Sequence, residues 1–247
     1  MKQSWQQRER ARELLSKEVG YVRKPHGGRL RVALAFPNTY FVGMSNLGLQ
    51  TVYKLFNAEH DIVCERVFLP PKTELAAQLA SGAPLVTIES QTPVAEFDVF
   101  AFSVSFEWDY TNVLTMLRLA GIPPRAEART HRHPLIVIGG AVTFVNPEPL
   151  ALFADAIAAG EGEVLVPSLL RAFNTASDRD DLLRRLAGER RAHDHDCARD
   201  RIGPAAARHQ QDGHQRRDRR PRRHDLCRRS REPEALLHDR SPDGNRR

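Results

Sequence analysis

Four short stretches of this chain combine groups able to hold a ligand or move a proton. Residues 37–48, PNTYFVGMSNLG, place small polar side chains before a Gly-Met-Ser-Asn helix start whose free amide groups could hold an anion. Asn38, Thr39, Tyr40, Gly43, Ser45 and Asn46 are the candidate ligand contacts there, although Ser45 or Asn46 would serve equally as a helix N-cap with no ligand at all. Ser103, Ser105, Glu107 and Asp109 alternate with apolar residues up to and past the end of an apolar run, so that Glu107 and Asp109 could face a ligand as paired carboxylates suited to acid–base work. For Asp109 the favoured reading is simpler: it caps a helix starting near Tyr110. Gly139-Gly140 and Gly160-Glu161-Gly162-Glu163 complete the set. There is no G-x-G-x-x-G after the first apolar run and no G-x-x-x-x-G-K-[ST], which disfavours an ordinary dinucleotide or P-loop site.

These residues must be carried by regular elements. The runs Arg31–Phe36, Asp61–Phe68, Val99–Phe106, Leu135–Ile138 and Asp155–Ala159 read as strands, most of them apolar enough to be buried on both faces. Helices are expected at about Ser45–Asn57, Lys72–Ser81 (Leu75 and Leu79 inward), Tyr110–Ala120, Pro147–Phe153 and Glu163–Phe173, with Leu165, Leu169 and Leu170 inward in the last. The segment Leu85–Glu89 reads as either a short edge strand or a loop. Alternating strands and helices define an α/β, doubly wound, mainly parallel sheet of about five strands, flavodoxin-like. In such sheets the ligand crevice lies beyond the carboxyl ends of the strands, where strand order reverses. That selects the loops Pro37–Asn46, Phe106–Tyr110, Gly139–Asn146 and Gly160–Glu163, which hold the stretches named above.

The chain divides into three parts. Residues 1–28 are a leader: a polar helix from Gln3 to about Val19, anchored by Trp5, Leu14, Leu15 and Val19 and broken at Pro25-His26-Gly27-Gly28. Residues 29–190 are the α/β domain. Residues 191–247 hold only Ile202, Leu226, Leu236 and Leu237 as large apolar side chains, too few to offset the entropy of ordering the segment, so this tail is expected to be disordered. All of the net charge of +6 lies in it, as 16 Arg against 10 acids, so the overall basicity names no partner for the domain. The tail's HDHD run at 193–196 lacks the supporting contacts a metal site needs, and its Arg clusters have no aromatic residues to stack bases, so neither metal nor nucleic acid is expected. Three widely spaced cysteines, Cys64, Cys197 and Cys227, argue against a disulfide scaffold; with no signal peptide and no apolar run of membrane-spanning length, a cytoplasmic protein without membrane contact is expected.

The string IVIGGAVTFVNPEPLALFADAIAAGEGEVLVPSLL, residues 136–170, resembles the C-terminal half of the cobalamin-binding-type domain that precedes the radical SAM domain in many iron–sulfur oxidoreductases. The matching positions are Gly139, Gly140, Pro147, Glu148, Asp155, Gly160, Glu161, Gly162 and Glu163. ALAFPNTYFVGMSNLGLQTVYKLFN and SFEWDYTNVLTMLRLAGIP extend the resemblance to an uncharacterised branch of this group, over about residues 15–190. The resemblance implies cobalamin as a ligand of the loops, with a radical SAM barrel as partner; [4Fe–4S] and S-adenosylmethionine belong only to the full-length family member. Two departures limit it. The Asp-x-His-x-x-Gly motif that supplies a lower cobalt ligand is replaced by Asn38-Thr39-Tyr40-Phe41-Val42-Gly43, and the Cys-x-x-x-Cys-x-x-Cys cluster motif is missing, so the chain alone is expected to be inactive. The abrupt turn to Arg-rich, Lys-free sequence near Glu189 is what a high-GC gene yields out of frame, and a frameshift near codon 185–195 is the expectation drawn from it. Two further readings are a stand-alone flavodoxin-like module binding a small molecule or partner, and, least favoured, a nucleic-acid binder acting through the tail.

Overall fold

The computed structural model describes residues 5–187. Five strands, β1 (Leu30–Phe36), β2 (Ile62–Phe68), β3 (Val99–Ser103), β4 (Leu135–Gly139) and β5 (Ala156–Ile157), form one all-parallel sheet in the order β2-β1-β3-β4-β5. The helices are α1 (Trp5–Ser16), α2 (Tyr40–Met44), α3 (Leu47–Ala58), α4 (Lys72–Ser81), α5 (Tyr110–Leu119), α6 (Val142–Val145) and α7 (Gly162–Thr175), with a further helix at residues 179–187. This is the doubly wound α/β arrangement expected from the sequence. Alternation along β1 shows why both faces must be covered: Val32, Leu34 and Phe36 pack with Leu49, Tyr53 and Phe56 of α3 and Val166 and Leu169 of α7. Ala33 and Ala35 turn to the other face with Phe100, Phe102, Ile136 and Ile138, against Val113, Met116 and Leu117 of α5. Strand order reverses between β1 and β3, so the carboxyl ends of these two strands are where doubly wound sheets place their ligand crevice.

Several elements differ from their expected limits for local reasons. β3 stops at Ser103 because Val104 swings toward the next loop, its N–H donating to the Gly139 carbonyl at 2.9 Å and its carbonyl accepting from Val142 at 3.1 Å. Only Glu148–Leu150 forms a 3-10 helix in the expected Pro147–Phe153 helix, and separate turns follow it, with the Ala151 N–H donating to the Glu148 carbonyl and the Phe153 N–H to the Leu150 carbonyl. β5 is only two residues long, although the N–H groups of Asp155 and Ala158 on either side of it still donate to the Ile136 and Ile138 carbonyls of β4; the Asp155 carboxylate accepts from the Ile136 N–H at 2.8 Å and from Arg129 and Arg179. In α4, Gln78 rather than Leu79 points inward, donating to the carbonyls of Ala83 and Pro84, and Leu79 is exposed. The leader helix is anchored by Ala11 and Leu15; Trp5 and Val19 are exposed, and Gln3 lies outside the described residues.

The segment after α4 is a loop with one isolated antiparallel bridge, Val86 to Pro93, and it covers the outer edge of β2. There the backbone groups that a sixth strand would pair with are taken individually. The Ile62 carbonyl accepts from Lys24 Nζ, Cys64 exchanges two bonds with the Asn57 amide, the Arg66 N–H donates to Glu89, and the Arg66 carbonyl accepts from Ile88. Among the described residues no helix is long and apolar enough to cross a membrane.

Candidate functional site at the switch point

Beyond β1 the chain turns at Pro37-Asn38 and forms the five-residue α2; beyond β3 it runs through Ser105 and a 3-10 turn, Glu107–Asp109, into α5. Two hydrogen-bonded pairs join these loops. Asn46 Nδ2 donates to Ser105 Oγ at 3.1 Å, and Asn38 Nδ2 donates to Asp109 Oδ1 at 3.0 Å. Asn112 Nδ2, one turn into α5, donates to the same Asp109 oxygen at 3.1 Å and to the Pro37 carbonyl at 2.9 Å. Asp109 is 1% exposed, and its other oxygen, Oδ2, is buried with no partner. Burial pushes its carboxyl above the ordinary value, against the two asparagine hydrogen bonds that favour the anion. Tyr110 Oη donates to the Asn146 carbonyl and so links this loop to the one after β4.

The candidate residues divide sharply by role. Asn38, Asn46 and Ser105 come together at the switch point as expected. Asn46 is also the N-cap of α3, accepting from Leu49 N–H at 2.9 Å, so the capping alternative holds for it; Ser45 instead donates back to the Phe41 carbonyl. Tyr40 lies edge-on to Phe68 and donates to Glu18 at 2.6 Å, which makes it an anchor of the loop. A Cβ on Gly43 would sit 2.4 Å from the Phe68 ring, so this glycine permits close packing of α2 on the sheet. Thr39 makes no side-chain cap bond to α2. Glu107 is exposed whereas Asp109 is buried, so the two do not form an equivalent carboxylate pair. Asp109 stands at the N-cap position of α5 without a capping bond, because its carboxylate is turned to Asn38 and Asn112, and the favoured capping reading does not hold.

At the other loops the glycines serve the backbone. Gly140 has φ +98, and a Cβ there would lie 2.5 Å from the Val104 carbonyl oxygen; Gly139 lies along the Ala158 backbone, and Gly162 seats α7 on Leu55 of α3. Gly160 turns the chain at φ +149, while Glu161 and Glu163 are exposed at the start of α7. Around this end of the sheet stand large apolar side chains left in water: Phe41 (72% exposed), Leu47 (77%), Trp108 (77%) and Phe144 (65%), with Phe106 stacked on Trp108 at 5.6 Å.

A second polar cluster, under β2, was not anticipated. Arg66 has a side chain 3% exposed and pairs with Glu89 (Nε to Oε1, 2.7 Å) and Glu18 (Nη2 to Oε2, 2.8 Å, off the line of a good hydrogen bond), while neighbouring Glu65 accepts from Thr87 and Ser90 and pairs with His26. Burial pushes the Glu89 carboxyl up to about 7 even though Arg66 pulls it down. The signal was present in DIVCERVF: a Glu-Arg pair inside a strand buried on both faces needs partners elsewhere in the chain.

A corrinoid ligated by histidine does not fit these residues. The four histidines among the described residues, His26, His60, His131 and His133, all precede strands and so lie toward the amino ends, opposite the crevice. Among the described residues, no group of three His, Cys, Asp or Glu side chains could hold a metal ion. The HDHD run lies outside the described residues.

The fold is a doubly wound α/β domain whose strand order reverses between β1 and β3. Residues 48–192 match the family model described as radical SAM proteins, N-terminal, more than half of the chain, and the chain belongs to that family. A comparison with curated proteins finds no match.

Proposed function

We propose that this domain serves a radical SAM protein by covering its catalytic barrel with the carboxyl end of the sheet, shaping access to the reaction site. The observation that carries this reading is the exposed apolar rim on the loops after β1, β3 and β4, beside a buried carboxylate oxygen without a partner. An apolar rim of this kind is characteristic of interaction surfaces rather than of finished protein surface. The chemistry of radical generation would belong to the barrel, since none of the three cysteines here stands in a Cys-x-x-x-Cys-x-x-Cys motif. The abrupt turn to Arg-rich, Lys-free composition near Glu189 supports a shift of reading frame there. Translating the other two frames of the DNA past codon 190 should yield the cysteine triplet; its absence from both would sink the frameshift and with it the missing-barrel reading.

For the ligand, any cobalamin is proposed to bind without a protein histidine on cobalt. Hydroxocobalamin incubated with the purified chain should then be retained through gel filtration without the absorbance change of histidine coordination. Complete loss of colour would instead favour a domain that only covers the barrel, or one that takes a different small molecule.

A further inference from the structure

The polar cluster under β2 reaches both ends of α2. Glu18, in the leader after α1, accepts from Tyr40 Oη through one carboxylate oxygen at 2.6 Å and pairs with Arg66 through the other at 2.8 Å. Arg66 in turn donates from Nη1 to Met44 Sδ at 3.2 Å and lies over the Tyr53 ring at 4.7 Å. Tyr40 and Met44 are the first and last residues of α2. One leader carboxylate therefore holds the helix that opens the crevice, directly at its start and through Arg66 at its end.

α2 needs such help. Five residues are far too few for a helix to persist alone, Thr39 does not cap it, Gly43 is its only buried residue, and Phe41 and Val42 face water. The leader, by contrast, is fixed elsewhere: Val22 N–H donates to Tyr53, Lys24 Nζ to the carbonyls of Asn57, Glu59 and Ile62, and His26 pairs with Glu65. A cavity of about 500 Å³ between the leader and α3, lined by Glu18, Tyr21, Met44, Tyr53, Lys54 and Arg66, brings solvent beside the link, and the Glu18 side chain is 12% exposed. The contact is thus both well made and accessible.

We infer that Glu18 is a positioning residue for the switch-point crevice: the leader sets α2, and through the α2–Asn46 connection it sets the Asn46–Ser105 contact. The crevice reading gives this coupling its purpose, but the coupling can be measured without any ligand. The N–H groups of Gly43, Ser45 and Asn46 donate to Thr39, Phe41 and Gly43 carbonyls, so their hydrogen exchange reports directly on α2.

In the purified full chain, Glu18→Ala should raise exchange at Gly43, Ser45 and Asn46 by about tenfold or more while amides of β3 and β4 keep their protection. Tyr40→Phe, which removes one hydroxyl, should give a smaller rise at the same amides. Glu18→Gln, still able to accept from Tyr40, should fall between wild type and Glu18→Ala. His26→Ala loosens the same leader at an anchor away from α2 and should leave those amides unchanged. Wild-type exchange in α2 for a folded Glu18→Ala protein overturns the inference, as does an equal effect from His26→Ala. Should Glu18→Ala fail to fold, Tyr40→Phe decides: a local rise supports the coupling and no rise overturns it. Failure of hydroxocobalamin to bind touches only the crevice reading, because no arm of this experiment uses it.

Discussion

The amino ends and the carboxyl ends of the strands are finished in different ways. At the amino ends charges are matched: Arg31 and Asp98, each about a third exposed, pair through both side-chain and backbone donors, and Asp155 is held in the interior by Arg129 (side chain 0% exposed), Arg179 and the Ile136 N–H. Arg129 also donates to the carbonyls of Pro123, Pro124 and Phe153. At the carboxyl ends the loops are held by amide side chains and close-packed glycines, aromatic rings stand in water, and one buried carboxylate oxygen has no partner. The first end is complete as it stands. The second has the composition of a surface that meets something else.

The sharpest test of this difference is to damage the closed end. Asp155→Ala leaves the buried Arg129 guanidinium uncompensated and should cost about 3–5 kcal/mol in urea unfolding, with the midpoint lowered at unchanged slope. Gly140→Ala would show where the open end is nonetheless rigid. A side chain at φ +98, 2.5 Å from the Val104 carbonyl oxygen, cannot be seated without moving backbone, and a loss on the order of 3 kcal/mol is expected in the same assay.

Asp109 distinguishes a structural from a ligand-facing role within the crevice. Asp109→Ala strands the Asn38 and Asn112 donors and should cost about 1–3 kcal/mol, whereas Asp109→Asn keeps an acceptor oxygen and should be nearly neutral. The pH dependence has a definite sign. Both Asp109 and Glu89 have carboxyls raised by burial, so the folded state binds their protons more tightly than the unfolded chain does. For Glu89, stability should fall as pH rises from its ordinary 4.5 to about 7, and Glu89→Gln should flatten that slope in denaturation measured across the range. The smallest effect is expected at the rim. Trp108→Ser should change stability by no more than about 0.5 kcal/mol, while lowering the fluorescence of a bound apolar dye. A loss of several kcal/mol there would mean that the rim belongs to the core and would remove the contrast.

Much of the architecture was legible because burial on both faces leaves continuous apolar runs: VFAFS and LIVIG, with their crossover helices, define the parallel sheet without ambiguity. The sequence pointed to four loops at the carboxyl ends, and only the strand order of the structure singled out the β1/β3 switch point, because pairing between strands distant in sequence is not written in their apolar runs. What escaped detection depends on contacts distant in sequence. Tyr40 read as a ligand contact because nothing in PNTYFVGM shows that Glu18 lies against it, and Asn112 passed as an ordinary helical residue because its partners are Pro37 and Asp109. Leu79 and Trp5 read as inward because apolar type was taken as a guide to burial, a rule that holds only in one direction.

The outer edge of β2 carries one further consequence. A bare parallel edge invites another chain to pair with it, and a seven-residue strand offers a long row of unpaired backbone groups for edge-to-edge aggregation. Here Lys24, Asn57, Glu89 and Ile88 occupy the outward-facing groups of Ile62, Cys64 and Arg66, and the opposite edge, β5, is only two residues long. Growth of the sheet is thus discouraged on both sides, which channels association with any other domain or molecule toward side-chain contacts at the strand ends.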